Sequence, residues 1–487
     1  MQQRVYHSKD IQAWEQRWFA QQNSSYGLMQ QVAWLISNRL IKQFETSNFH
    51  RIAVCCGAGN NAGDGYLIAK YLKQHGFEVE IYASSLGQSS DLNLAYKEAQ
   101  QSKIKIYPHF NFQKNYDVYI DALFGIGLNR PLSQDWQQII QSINEARGFK
   151  VSVDLPSGLN ANTGRPMPIC IQADQTYTVL GFKAGLFTGL GKQYAGHIDV
   201  IDAIPADAML QPLAYLSPHN IHLPMRKAFG HKGTYGHVLV IGGHGNMGGA
   251  VIMAAEAAFA SGAGKVTVIC DAKHHIAILS RAPNIMLADI NTMSEEDRVN
   301  LLKQVDAVCF GMGLGRDQWA QMQYETWFKL IQQSNLEVVL DADALWFLAQ
   351  FPQKLNSQTY CTPHPGEAAT LLGLKTSEIE SDRIAAIYAL QDKYVGQWVL
   401  KGSGSLTLED ELYICTAGNA GMGTGGMGDV LAGMIASLKA QFHQEIALHQ
   451  VVTLHALAGD DLAKHGERGL QAQDMKHAIY KVVNSSN

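Results

Sequence analysis

No uninterrupted apolar run in the chain approaches the roughly 20 residues needed to cross a bilayer, so no membrane partner is expected. The first stretch, MQQRVYHSKDIQAWEQRWFA, lacks a continuous apolar core and a small-residue cleavage site, which argues against a secretory signal. Charge is sparse and nearly balanced, at 17% of residues and a formal net charge of −5. Without a basic excess there is nothing to recruit nucleic acid, and a phosphate ligand must be held by local geometry. The seven cysteines form no CxxC pair and no Cys/His metal spacing; they lie mainly in strand-like runs such as IAVCCG, VTVIC and AVCFG. Buried free thiols in a reducing, cytoplasmic compartment are the expectation.

Against these absences stand 46% hydrophobic residues in 487, enough for two or three cores. Ser8 is placed to cap a helix carrying Ile11, Trp14 and Trp18, and a second helix is expected over 27–44. Short β-branched runs then alternate with amphipathic segments. RIAVCCG, EVEIYA, YDVYIDALFG and KVSVDLPSG read as strands, with helices over 65–76, 90–102 and 135–146 between them. That alternation predicts βαβ units and a parallel sheet covered on both faces. It lapses between residues 203 and 225, where four of the 13 prolines fall, and restarts at GHVLVIGG. The fold class is therefore α/β, with two domains in tandem.

In the first half, GAGNNAGDG follows a strand and precedes a helix. Gly57, Gly59 and Ala62 satisfy the dinucleotide fingerprint G-x-G-x-x-G/A, with Glu78 or Glu80 near the distance of a ribose contact. Asn60, Asn61 and Asp64 crowd a turn that a pyrophosphate binder keeps bare, so side chains are expected to contact the ligand. Asp121 and Asp154 each end an apolar strand at the sheet edge where ligands of open α/β sheets bind. Poor solvation there suits a carboxylate to proton transfer or cation binding. Asn61, Asp121 and Ser157 together offer oxygen ligands for a cation.

In the second half, NAGMGTGGMGDVLAG packs glycines ahead of a single carboxylate, Asp429, and an apolar helix. Such a cluster is costly unless its backbone has work to do. The amides of Gly425–Gly428 and a helix N-terminus would cradle a phosphate, leaving Asp429 to take a proton from an attacking hydroxyl. KGSGS, residues 401–405, would hold further phosphates of a nucleotide, while HPGE places His364 and Glu367 at another strand end. A tight strand-to-helix turn without a ligand is the bland alternative for the glycine loop.

The motifs CGAGNNAGDG, DALFGIGL, VDLPSG and GFKAGL resemble the epimerase half of the bifunctional NAD(P)H-hydrate repair enzymes. HKGTYGHVLVIGG, GMGLG, VLDADAL, TPHPGEAATLLG, VLKGSGS and GNAGMGTGGMGDVLAG resemble their ADP-dependent dehydratase half, a ribokinase-like fold. The resemblance implies a Rossmann-like epimerase domain over 1–212 and a dehydratase domain over 222–487. The ligands would be NADH or NADPH hydrated at C6 of the nicotinamide ring (NADHX and NADPHX), with ADP as phosphoryl donor. In the first domain it implies Asp154 as the acid–base group, Lys183 as its helper, and K+ on Asn61, Asp121 and Ser157. Asn60, Asn61, Ala62, Gly63 and Asp64 would line the hydrate together with Gly125, Ile126, Gly127, Leu128, Asn129, Arg130 and Pro131. In the second domain Asp429 would activate the hydroxyl, and Ala250, Gly313 and His364 would contact the hydrate. Lys401, Gly402, Ser403, Gly404, Ser405 and Gly428 would contact the nucleotide, and Mg2+ would accompany it. A homo-oligomer is expected.

The chain departs from the family pattern in three places: Ala62 stands for a usual Gly, LMQQVA at 28–33 for LMExAG, and HPGE for the N-x-x-E of ribokinase-like relatives. Three other readings stay open at this stage. A small-molecule kinase would use the glycine loop and Asp429 equally well. A nucleotide-binding module would need no chemistry from the first domain, and a dehydrogenase would rest on G-x-G-x-x-A alone.

Overall fold

The computed structural model describes residues 2–485 and divides into two compact units, Arg4–Ala214 and the chain from Tyr215 onward, the latter with the extreme N-terminal residues. The first unit contains β1 (Arg4–Tyr6), β2 (Arg51–Cys56), β3 (Glu78–Ala83), β4 (Lys105–Tyr107), β5 (Val118–Ala122), β6 (Phe149–Val153), β7 (Gln175–Val179), β8 (Phe182–Lys183) and β9 (His197–Ile201). Seven of these form a parallel sheet in the order β4-β3-β2-β5-β6-β7-β9. Alternation along β2 explains why the strand is apolar throughout. Ile52, Val54 and Cys56 face helices Ser25–Ser47 and Asn60–Gln74, while Ala53 and Cys55 face Tyr82, Tyr119 and Ile140. Strand order reverses between β2 and β5, which opens a crevice at their carboxyl ends.

Two helix starts differ from expectation. His7, one residue ahead of Ser8, caps helix Ser8–Ala20 through its ring nitrogen and the Lys9 N–H. The Ser8 N–H is taken instead by Asn162 Oδ1, so Ser8 is held inside the first turn. The helix expected from residue 65 begins at Asn60, directly after the cap residue Gly59. The NNAGD turn is therefore helical.

The second unit contains β10 (Ala214–Leu216), β11 (His237–Ile241), β12 (Lys265–Cys270), β13 (Met286–Asp289), β14 (Ala307–Phe310), β15 (Glu337–Leu340), β16 (Thr359–Cys361), β17 (Gln397–Leu400), β18 (Leu406–Leu408) and β19 (Leu412–Ile414). The order β13-β12-β11-β14-β15-β16-β17 is parallel, and β18 and β19 extend it antiparallel. Tyr215 and Leu216 of β10 pair in parallel with Tyr413 and Ile414, so the proline-rich stretch holds a short strand. Here the strand order reverses between β11 and β14. Helices Gly248–Ala260 and Met427–Phe442 pack together over the sheet, with Ser437 Oγ donating to Ala258 O at 2.8 Å. All seven cysteines are buried and unbridged. Among the described residues no helix is long and apolar enough to cross a membrane.

Candidate active sites

At the β2–β5 reversal a cavity of about 490 Å3 opens between the loops that follow the two strands. Asn60, Asn61 and Asp64 line it from helix Asn60–Gln74, and Gly125, Ile126, Gly127, Leu128, Asn129 and Arg130 from the loop beyond β5. Asp154 and Lys183 line it from the ends of β6 and β8. The remaining three residues expected there lie elsewhere. Ala62 is fully buried in the helix–sheet core, and Pro131 is exposed. Gly63 makes room for Met29, whose Sδ lies 2.5 Å from where a Cβ would stand.

Pairing of β1 with β8 fixes Lys183 beside Tyr6 and turns its ammonium inward. That ammonium is wholly buried and donates to Asp154 Oδ1 at 2.5 Å, Val179 O at 2.6 Å and Thr178 Oγ1 at 3.0 Å. Asp154 has φ 68°, a left-handed conformation that Asp and Asn tolerate best after glycine. Its carboxylate also accepts from the N–H groups of Val179 and Ile126, each at 3.2 Å. An ion pair is thus held at the cavity wall, with the carboxylate oriented by two elements.

Behind it, Asp121 accepts from Ser157 Oγ at 2.5 Å, Ser157 N at 2.8 Å, Ser152 Oγ at 2.9 Å and Leu123 N at 3.2 Å. Burial pushes its carboxyl up, and the hydrogen bonds from Ser157, Leu123 and Ser152 pull against that shift. Ser157 Oγ also accepts from Phe124 N at 2.9 Å and lies 3.2 Å from Phe124 O. Asn61 stands against the same loop, its Nδ2 buried without a partner. The dehydrogenase reading loses its ribose contact here. Glu80 is buried and bonded to Tyr116 and Tyr107, and Glu78 is paired with Lys114.

One cavity residue was missed in the sequence: Glu15, on helix Ser8–Ala20. Burial, then the charge of Asp154, pushes its carboxyl up to about 7, with Lys183 pulling against them. Asp64 is also pushed well above the carboxylate range by burial, Asp154 and Glu15. Glu15 falls on the stripe marked by Ile11, Trp14 and Trp18, where an acid breaks an otherwise apolar helical face. That break was the available signal.

In the second unit the glycine loop ends at Gly426, whose φ of 92° caps helix Met427–Phe442. Asn419 and Asp460 pin the start of the loop, Asn419 Nδ2 donating to Asp460 Oδ1 at 2.8 Å. Among the described residues, no main-chain acceptor takes the N–H groups of Gly425, Gly426, Gly428 or Asp429, the donors that a helix start leaves open. A cavity of about 570 Å3 adjoins the loop at Gly425, walled by residues within 420–425 on one side and 467–473 on the other; Gly426, Gly428, Asp429 and Lys401 lie outside its lining.

Asp429 occupies the first turn of that helix. Lys401 Nζ lies 3.1 Å from where a Cβ on Gly428 would stand, so the ammonium sits close against the backbone of that residue. Lys401 donates to Asp341 Oδ1 at 2.8 Å and lies 3.8 Å from Glu367 Oε2. Burial works against the lysine's charge, but Asp341 and Glu367 raise its proton affinity. Asp429 is pushed up to about 7 by burial and by Asp341, against Lys401; Glu367 reaches about 7 by burial, against Lys401. Three carboxyl groups thus share one ammonium.

His364 caps helix Pro365–Leu372, its Nδ1 accepting from Gly366 N at 3.0 Å and Glu367 N at 3.3 Å. Glu367 returns the bond to His364 N at 2.7 Å. Burial, then Lys401, lowers the proton affinity of His364, leaving a neutral ring with Nε2 as donor. Ala250 and Gly313 meet at the β11–β14 reversal, where an added Cβ on Gly313 would lie 3.4 Å from Ala250 Cβ. Gly402–Ser405 close into a turn, with Ser405 Oγ donating to Gly402 O at 2.9 Å, and lie outside the lining of the 570 Å3 cavity. Asp341, which holds Lys401, had carried no role in the sequence. It ends the apolar strand EVVL as Asp121 and Asp154 end theirs, so the same signal marked it.

Two family models match the chain: one described as YjeF-related protein N-terminus over residues 25–185, the other as NAD(P)H-hydrate dehydratase over residues 238–481. The chain is 37% identical over 450 residues to the bifunctional NAD(P)H-hydrate repair enzyme Nnr of Coxiella burnetii, spanning 89% of this chain and 90% of that one. It is also 37% identical to the enzyme of the same name from Vibrio cholerae, over 94% of both. Among solved structures, a ribokinase-like superfamily protein from Enterococcus faecalis V583 aligns with 53% of this chain and 90% of its own, at 33% identity and TM-score 0.49. An ADP/ATP-dependent NAD(P)H-hydrate dehydratase from Bacillus subtilis, co-crystallized with ATP/Mg2+, covers 54% of this chain and 93% of its own at 24% identity and TM-score 0.47. With relatives of that identity matched across nearly their whole length, and both halves matched in order, the chain belongs to the bifunctional NAD(P)H-hydrate repair enzyme family.

Proposed function

We propose that the unit over 1–212 interconverts the R and S forms of C6-hydrated NADH or NADPH, and that the unit over 222–487 dehydrates the S form while ADP becomes AMP and phosphate. The C6 hydroxyl lies beside the ring nitrogen, whose lone pair can expel it. Hydroxide leaves poorly and phosphate leaves well, so phosphorylation precedes expulsion. Asp429 takes the hydroxyl proton as the oxygen attacks the β-phosphorus and AMP departs. The open amides of Gly425–Gly428 and the Lys401 ammonium stabilise the charge on the moving group. The nitrogen lone pair then forms C6=N1 as phosphate leaves with the C6–O electrons, and loss of a C5 proton restores the dihydronicotinamide. His364, with Nε2 as donor, contacts the hydrate alongside Ala250 and Gly313, and Lys401–Ser405 with Gly428 contact the nucleotide.

In the first unit Asp154, oriented by Lys183, moves the proton when water leaves and re-enters at C6. Asn61, Asp121 and Ser157 are the residues that would hold K+. The oxygens of Asp121, Ser157 and Phe124 cluster within hydrogen-bonding distance, and the Asn61 side chain stands against the same loop, where its amide oxygen would add a further oxygen ligand for a weakly hydrated cation. Bound K+ would fix the 123–131 loop over the substrate. Mg2+ fits differently. No group of three or more His, Cys, Asp or Glu among the described residues is arranged to hold a metal, so the ion would ride on the nucleotide phosphates with Glu367 and Asp429 nearby. A homo-oligomer in the cytoplasm completes the reading.

The observation that carries it is Asp429 in the first helical turn, beside unspent amides and a part-buried ammonium. Full-length protein given ADP and S-hydrated NADH should regain dihydronicotinamide absorbance as AMP appears. Consumption of ATP with a pyrimidine alcohol, and no such regain, would make the second unit a vitamin-precursor kinase.

A further inference from the structure

We infer that Glu15 is the proton donor to the departing C6 hydroxyl in the first cavity, working with Asp154 as the acceptor of the proton from the returning water. The inference rests on the epimerase reading above. Interconversion of R and S forms needs two proton transfers, both at oxygen on C6. One group must give a proton as the C–O bond breaks, and another must take one as water adds to the opposite face. The Asp154–Lys183 pair supplies only one of these. With an ammonium at 2.5 Å and two N–H groups aimed at it, Asp154 is held as an acceptor.

Glu15 reaches the same cavity from a separate element, the helix Ser8–Ala20, beside Ile11 and Gln12. Among the described residues no protein donor engages its carboxyl, so the group is free to meet a ligand. Burial and the neighbouring Asp154 charge keep it protonated up to about pH 7, which suits an acid working at neutral pH. Every charged group lining the cavity enters this balance: Asp64 from helix Asn60–Gln74, Asp154 after β6, Lys183 on β8 and Arg130 from the loop beyond β5. Asp64 is pushed up by burial and by the charges of Asp154 and Glu15.

The step balances. Glu15 gives its proton to the hydroxyl oxygen, the C6–O bond breaks, and the nitrogen lone pair forms C6=N1 as water departs. Water then adds from the other face, its electrons making the new C–O bond while the C6=N1 pair returns to nitrogen. Its surplus proton goes to Asp154. Exchange with solvent resets the two carboxyls, and the reverse reaction uses them in swapped roles.

The test is the pH profile of interconversion of purified R and S hydrates by full-length Glu15→Gln, with Glu15→Asp and Asp64→Asn alongside. ADP-dependent dehydration of the S hydrate by the same preparations reports that the chain is folded, and hydrate binding that the first unit is. The wild type should lose kcat as pH rises through about 7. Glu15→Gln should bind hydrate, fall about 100-fold or more in kcat, and lose that alkaline limb, while Glu15→Asp recovers part of the rate with the limb retained. An unchanged profile in Glu15→Gln, or loss of the limb in Asp64→Asn instead, overturns the assignment. A wild type that does not interconvert the hydrates at all would defeat the epimerase reading itself, a distinguishable result.

Discussion

Lys401 Nζ stands 2.8 Å from Asp341 Oδ1, and the two side chains are 19% and 3% exposed. The ammonium is placed beside Gly428 because Asp341, itself bonded to Thr362 Oγ1 at 2.8 Å, cannot turn away. Without its carboxylate the lysine has Glu367 at 3.8 Å as its next partner and would be drawn off the phosphate cradle.

Asp341→Asn should therefore lower dehydration about 100-fold or more, the scale of losing one preorganised charge contact in a reacting site. Epimerisation in the same chain should be unaffected. Removing one partner of a buried pair costs about 3–5 kcal/mol, so the thermal transition of the second unit should drop while that of the first stays put. Calorimetry with paired activity assays checks both.

Asp154→Asn should abolish interconversion, by roughly 100- to 10,000-fold, yet leave hydrate binding. Asn accepts the φ of 68° that Asp154 adopts, so the backbone is not disturbed, and Lys183 keeps Thr178 Oγ1 and Val179 O. Chromatography of purified R and S hydrates measures the rate, and tryptophan fluorescence titration the binding. Retained interconversion would remove Asp154 from its role.

What the sequence disclosed follows from which signals are local. Alternating apolar runs placed the parallel strands, and β2 shows why: both faces of Ile52–Cys56 are buried, so no polar residue interrupts it. Carboxylates ending such strands, Asp121 and Asp154, were visible because burial makes an acid conspicuous there. Asp341 carried the same mark. Glu15 was harder to see because its chemistry comes from burial in the folded cavity and then from the charge of Asp154, 139 residues away, and only the break in an apolar stripe hinted at it. The helix start at Asn60 was missed because Asn60, Asn61 and Gly63 resemble a turn; the cap is Gly59, with no side-chain oxygen to announce it.

Asp429 sets a pH dependence with a definite sign. As the base it must be ionised, and its carboxyl is pushed up to about 7, so dehydration should rise with pH through that value. Asp429→Asn should be slower by orders of magnitude and lose this acid limb. Stability runs the other way. The fold favours the neutral acid, so the contribution is fully present below the unfolded value near 4 and is lost as pH climbs through about 7. The ligand-free second unit should lose thermal stability over that window, less steeply in Asp429→Asn. A wild-type dehydration rate flat between pH 5.5 and about 8 would contradict the assignment.

Ala62 gives the sharpest test of the departures from the family pattern. A glycine at this position would suggest a backbone that needs positive φ, but Ala62 lies inside helix Asn60–Gln74 and has no such need. Its methyl is fully buried in the core beneath the cavity, away from the lining. Ala62→Gly should therefore destabilise the first unit by about 1 kcal/mol, through backbone entropy and one lost methyl, and leave epimerisation within about twofold. Urea unfolding followed on the first unit measures the cost. A gain in hydrate affinity on that substitution would show instead that the methyl intrudes on the substrate.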